Sequence, residues 1–134
     1  MIQYQISIDK FPAEITGPSS LTGFIEGDFA VLVNGVEVFK EPEFLIYEFF
    51  DALHNWVNSD GSEGSDFYFA SMDYEEEPVI SFRYDNDTKS YVFESVFQIS
   101  PAKFSFKDIL HSHRQFMVDL RELLSRDYGY FLEL

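Results

Sequence analysis

Three histidines and a run of carboxylates are the residues of this chain whose types and spacing suggest chemistry. His111 and His113 stand two apart in a helix-patterned segment. Helical residues i and i+2 point about 200° apart, so these two rings cannot share one ion. His113 falls in an apolar stripe and reads as a hydrogen-bonded core or edge histidine. His54, beside Trp56, has no cysteine or second histidine at ligand spacing and reads as an exposed or half-buried helix residue. Asp85-Asn86-Asp87 and Asp60-Gly61-Ser62 look like pieces of a calcium loop. Counted from Asp85, however, the loop's Gly position holds Ser90 and its terminal Glu position holds Val96, so a solvated turn fits better. With no cysteine, no G-x-S-x-G and no glycine-rich phosphate loop, the usual routes to nucleophilic catalysis are missing. The expectation is a non-enzyme with no catalytic residue, no metal and no cofactor.

The carboxylates carry more information. The chain has 24 Asp+Glu against 9 Lys+Arg, a net charge of −15. Residues 41–89 hold 13 of those acids and only two bases, a net of −11, against −3 for residues 1–40 and −1 for residues 90–134. Charge concentrated in this way raises self-repulsion and steers association with something basic. Binding to nucleic acid or to an anionic membrane needs Lys/Arg clusters, and none exists. Asp73, Tyr74, Glu75, Glu76 and Glu77 end one predicted strand and cross to the next, which would gather their side chains on one rim. Tyr68, Tyr84 and Tyr91 come from neighbouring strands. Tyrosine supplies rigid contact area and carboxylates accept bidentate guanidinium, a pairing suited to a Lys/Arg-rich partner. The expected partner-binding set is Asp73, Tyr74, Glu75, Glu76 and Glu77, with Asp60, Glu63, Asp66, Tyr84, Asp85 and Asp87, and with acids of 41–51 widening the patch. A solubilising turn beside ordinary sheet aromatics explains the same residues, and both readings stand at this point.

The elements that must position these groups follow from periodicity. Residues 2–8 (IQYQISI) alternate as a half-buried strand does. Residues 11–20 hold Pro12, Gly17 and Pro18 and read as a loop. Residues 22–33 and 36–40 are β-rich and flank Asn34-Gly35, a strong hairpin signal, with Gly27 as a candidate bulge. A helix is predicted at 42–57, with Pro42 in its first turn and Leu45, Phe49, Ala52, Leu53 and Trp56 on one face. A Ser/Gly/Asp loop spans 58–66. Strands are predicted at 67–74, 79–84 and 90–99, with Pro101 ending that region. The last helix, 106–126, opens on a Ser105/Asp108 capping box, carries one apolar stripe from Phe106 to Leu124 and stops at Gly129.

At 134 residues and 46% hydrophobic, the chain is expected to form a single domain, 1–134. The N-terminus lacks the basic and apolar regions of a signal peptide, and no apolar run approaches the roughly 20 residues of a membrane span, so a cytoplasmic location is expected. Strands outnumber helices and their connections are short. The predicted class is α+β, an antiparallel sheet of about six strands with two helices packed on one face.

Between about residues 24 and 124 the layout resembles small acidic immunity proteins of bacterial polymorphic and contact-dependent toxin systems, WapI-like ones in particular. The matching stretches are VNGVEVFKEPEF, the helix with FFDALHNWV, the hairpin FYFASMDYEEEPVISFRYD, and the helix with FMVDLRELL. The resemblance implies a cytoplasmic protein that binds a cognate toxin, often a basic nuclease, and blocks it without catalysis. The alternative is a non-enzymatic adaptor that meets an endogenous protein through a sheet edge or exposed aromatics. A small-molecule hydrolase or carrier with a pocket between sheet and helices is a third reading.

Overall fold

The computed structural model describes residues 1–71 and 73–133. Met72, inside the predicted strand 67–74, lies outside the described residues, as does Leu134. The elements run β1 (Ile2–Lys10), α1 (Pro18–Phe24), β2 (Glu26–Val33), β3 (Val36–Leu45), α2 (Ile46–Val57), β4 (Phe67–Phe69), β5 (Ile80–Asp85), β6 (Ser90–Ser95), β7 (Ile99–Phe104) and α3 (Phe106–Tyr128). The fold is α+β and every strand pairing is antiparallel.

The strands form two sheets where one was expected: β1-β2-β3 and β4-β5-β6-β7. The reason lies in α2. β3 passes straight into this helix, whose apolar face needs cover on more than one side. Phe49 meets Tyr4, Phe29 and Phe44 of the first sheet at ring-centroid distances of 5.8, 5.1 and 6.2 Å. It meets Phe67 and Phe69 of the second at 6.0 and 5.2 Å, and Phe116 of α3 at 6.1 Å. The sheets therefore share one aromatic core. They also touch directly: Gln98 Nε2 donates to the Val38 carbonyl (2.7 Å), and Phe97 lies 5.4 Å from Phe39.

Local signals hold where the determinant is local. Asn34 (φ 52°) and Gly35 (φ 81°) make the turn between β2 and β3. Register breaks between Gly27 and Phe29, so Gly27 does sit at an irregularity. Ser105 Oγ accepts from the Asp108 N–H while Asp108 accepts from the Ser105 N–H, closing the capping box, and Gly129 ends α3 in the left-handed conformation.

Several boundaries differ from expectation. The predicted helix at 42–57 begins only at Ile46, because residues 36–45 continue as strand and bury Phe44 and Leu45. Pro42 is tolerated there because β3 is an edge strand, where a missing N–H breaks no ladder bond. Pro101 is accommodated in the same way inside β7, an edge of the second sheet. The predicted strand 90–99 is thus two strands, reversed at a turn in which Ser95 Oγ accepts from the Phe97 and Gln98 N–H groups. Residues 18–20, expected in a loop, and 22–24, expected in β2, belong to the short helix α1, and the strand expected at 67–74 ends at Phe69.

Candidate functional site

The connection from β4 to β5 carries the densest acidity. Asp73, Glu75, Glu76 and Glu77 are all exposed. Among the described residues none of the four makes an ion pair; the pairs present are Lys10–Glu26, Arg83–Glu94, Lys103–Asp85 and Arg126–Asp127. Tyr68, on the outward side of β4, donates its hydroxyl to Glu77 (3.1 Å). Tyr74 is half-buried, with its ring 6.4 Å from Phe44, and hydrogen-bonds Glu41 of β3. Burial first, then the Glu41 carboxylate, push the Tyr74 phenol up to about 12, so it stays a neutral donor. This bond brings Glu41 to the rim. The first sheet thereby contributes to an acidic rim otherwise built by the second.

The remaining predicted residues lie elsewhere. Asp60, Glu63, Asp66, Tyr84, Asp85 and Asp87 belong to the α2–β4 loop and the far end of β5, which runs from Ile80 to Asp85. A strand of that length separates its two ends by about 17–20 Å. Several of these groups already have partners. Asp66 Oδ1 accepts from the Tyr84 N–H (2.7 Å). Asp85 takes Lys103 (3.1 Å) and the Asp87 N–H (2.9 Å), and these bonds, Lys103 foremost, hold its carboxyl below the usual range. The Tyr84 ring lies 5.1 Å from Tyr91, whose hydroxyl accepts from the Gly64 N–H and ties down the loop. Asp60, Glu63 and Asp87 are exposed. The predicted patch is therefore two separate groups, and the one at 73–77 has its four exposed carboxylates within five consecutive residues beside Tyr68 and Tyr74.

One pairing was invisible in the sequence. His54 Nδ1 and His113 Nε2 meet at 2.9 Å, although 59 residues separate them. Phe50 stacks on both rings at 5.5 and 5.4 Å. Asn58 Nδ2 donates to the His54 carbonyl (2.8 Å) and lies 3.4 Å from the His54 ring nitrogens. His113 is buried, and its Nδ1 has no partner among the described residues. The least costly tautomer therefore has His113 donating from Nε2 to His54 Nδ1, leaving a bare acceptor rather than an orphan donor inside. His111 is exposed and takes no part in this pair. No cluster of three or more His, Asp or Glu side chains able to hold a metal occurs among the described residues.

The family described as Domain of unknown function (DUF7878) matches residues 2–126. The chain belongs to this family. No curated protein and no solved structure matches it. The matched span takes in the rim, the histidine pair and most of α3, so all three are parts of the DUF7878 domain itself. Among its described residues no helix is long and apolar enough to cross a membrane.

The histidine pair should make this DUF7878 domain acid-sensitive. Burial first, then the neighbouring His54, push His113 down to about 4 from an ordinary 6.5. Below pH 6.5 the unfolded chain binds a proton that the folded chain refuses. The stability gained from a neutral His113 is thus complete above 6.5 and lost as pH falls to about 4. With partial solvent screening, the loss should be about 2 kcal/mol. Urea titrations at pH 7 and pH 4.5 test this, with His113→Leu as reference. Between the two pH values the parent should lose more stability than the Leu variant, and an equal loss in both would refute the assignment.

Proposed function

We propose that this domain is a non-catalytic immunity protein that binds a cognate basic toxin, a nuclease by preference, and covers its active or substrate-binding surface. The observation that carries the reading is the rim of Asp73, Glu75, Glu76 and Glu77, exposed and without an ion pair among the described residues, beside Tyr68 and Tyr74. Carboxylates without an ion pair can meet guanidinium or ammonium groups without first giving up a cation of their own. In this reading they would mimic the phosphates that a nuclease's basic site expects. The resemblance to WapI-like immunity proteins supports the same reading.

In this mechanism, charge sets the on-rate and the tyrosines set the off-rate. The test begins with affinity capture from the organism's own lysate at low and high salt, read by mass spectrometry. One basic toxin-like protein, retained at low salt and lost at high salt, is the expected result. With that protein in hand, the triple variant Glu75→Lys, Glu76→Lys, Glu77→Lys should slow association by about 10–100-fold at low salt and flatten its salt dependence. An on-rate equal to the parent's removes the rim from the mechanism.

A further inference from the structure

We infer that the free edge of β1, together with the cleft between it and α3, is a docking site for an extended basic polypeptide segment, which adds to the first sheet as a fourth strand. The inference concerns a different surface from the acidic rim and does not depend on it.

β1 is an edge of its sheet, paired on one side only, with β2. Its outward-facing backbone groups can be identified. The Met1 carbonyl accepts from the Asn34 N–H on the β2 side (2.8 Å), so in this ladder the odd-numbered residues turn toward β2. Ile2, Tyr4, Ile6 and Ile8 therefore turn their N–H and C=O outward. Ile8 demonstrates it: its carbonyl accepts from the Tyr128 hydroxyl (3.1 Å). No side chain among the described residues does the same for Ile2, Tyr4 or Ile6.

Open space lies along that edge. One cavity of about 340 Å³ is lined by consecutive residues Met1 to Gln5 and by His111, Ser112 and Gln115 of α3, among others. A second of about 380 Å³ is lined by consecutive residues Tyr4 to Ile6 and by Glu122 and Arg126, and both cavities share Tyr4, Gln5 and Asp119. Successive side chains of a strand point to opposite faces, so consecutive residues line one cavity only from the strand's edge. Residues 1–6 span about 17 Å, enough to pair with roughly five residues of an added strand.

One further observation specifies the occupant. On the helix wall of the second cavity, Asp119 and Glu122 face one cation, Arg126, which also pairs with Asp127 at 2.9 Å. That part of the cleft carries more negative than positive charge, complementary to Lys or Arg on an incoming strand.

The test selects binders to the full chain from a displayed library of random eight-residue peptides, then measures the best as free synthetic peptides. Enriched sequences should be extended in pattern, with Lys or Arg at alternate positions. N-methylation of every second backbone nitrogen should abolish binding in one phase and be tolerated in the other, as pairing to an edge requires. The double variant Asp119→Lys, Glu122→Lys, which leaves the sheet untouched, should weaken binding at least about tenfold. Ile6→Pro, which removes an outward N–H, should act in the same direction. Failure to enrich any sequence, tolerance of methylation in both phases, or unchanged affinity for the charge-reversed protein would each overturn the inference. So would a dimer through β1 in sedimentation equilibrium, since the edge would then belong to a second copy.

Discussion

Phe49→Ala is expected to remove about 3–5 kcal/mol, much of the roughly 5–15 kcal/mol that holds a domain of this kind folded. Phe49 is wholly buried and touches rings from both sheets and from α3. Its loss leaves a cavity at the joint where three layers meet, and no single element can move to fill it without leaving another. The effect should be felt by both sheets together. Trp56 reports on the second sheet, since its ring lies 5.5 Å from Phe67 and 6.2 Å from Tyr91. Urea unfolding followed by tryptophan fluorescence and by far-ultraviolet circular dichroism should show one shared midpoint, shifted far downward in the variant. Phe49→Leu keeps most of the volume and should cost markedly less. A shift worth under about 1 kcal/mol would refute the shared core, and separate midpoints in the parent protein would refute its unity.

Gly27→Ala should cost about 3 kcal/mol, far more than an added methyl group suggests. A Cβ at this position would stand 1.8 Å from the Ser7 carbonyl oxygen and 2.8 Å from the Ile8 Cα. Both are backbone atoms of β1, the strand that pairs with Gly27, and neither can swing aside as a side chain does. β1 must separate from β2 around Ile8, where the register is already irregular. Gly23→Ala is the control. A Cβ there meets nothing within 4 Å, and the position lies in α1, where alanine is favoured over glycine by about 1 kcal/mol. Thermal unfolding should therefore show Gly27→Ala lowered by roughly 10 °C and Gly23→Ala level or raised. Equal melting temperatures for the two variants would show that the close approach of β1 to β2 relaxes freely.

The acidic patch was only partly legible. That residues 41–89 carry the charge excess is plain in the composition. Which carboxylates share a surface was not, because β5 carries the chain away from the rim and delivers Asp85 and Asp87 to its other end. Asp66 and Asp85 look equivalent to Glu75 in the sequence, yet they bond the Tyr84 N–H and Lys103. Glu41 joined the rim only through the hydroxyl of Tyr74. The β1–α3 cleft had no sequence signal beyond an alternating strand, because an edge exists only once the strand order is known.

What the sequence determined by itself is whatever neighbouring residues decide. Asn34-Gly35 turns the chain because both residues accept positive φ, and Ser105 with Asp108 starts α3 because their side chains reach the free N–H groups of the first turn. The stripe from Ile109 to Leu124 buries one side of that helix, and the missing cysteines exclude thiol chemistry. Tertiary structure decided the rest. Pro42 and Pro101 look like a helix start and a strand stop until β3 and β7 prove to be edges, where proline costs no ladder bond. One sheet or two was settled by how α2 covers its apolar face. His54 met His113 across 59 residues because Phe50 and the packing of α2 on α3 brought the rings together. Turn sterics and capping bonds act over a few residues and are written in the chain, whereas burial is shared among distant segments and exists only once they meet.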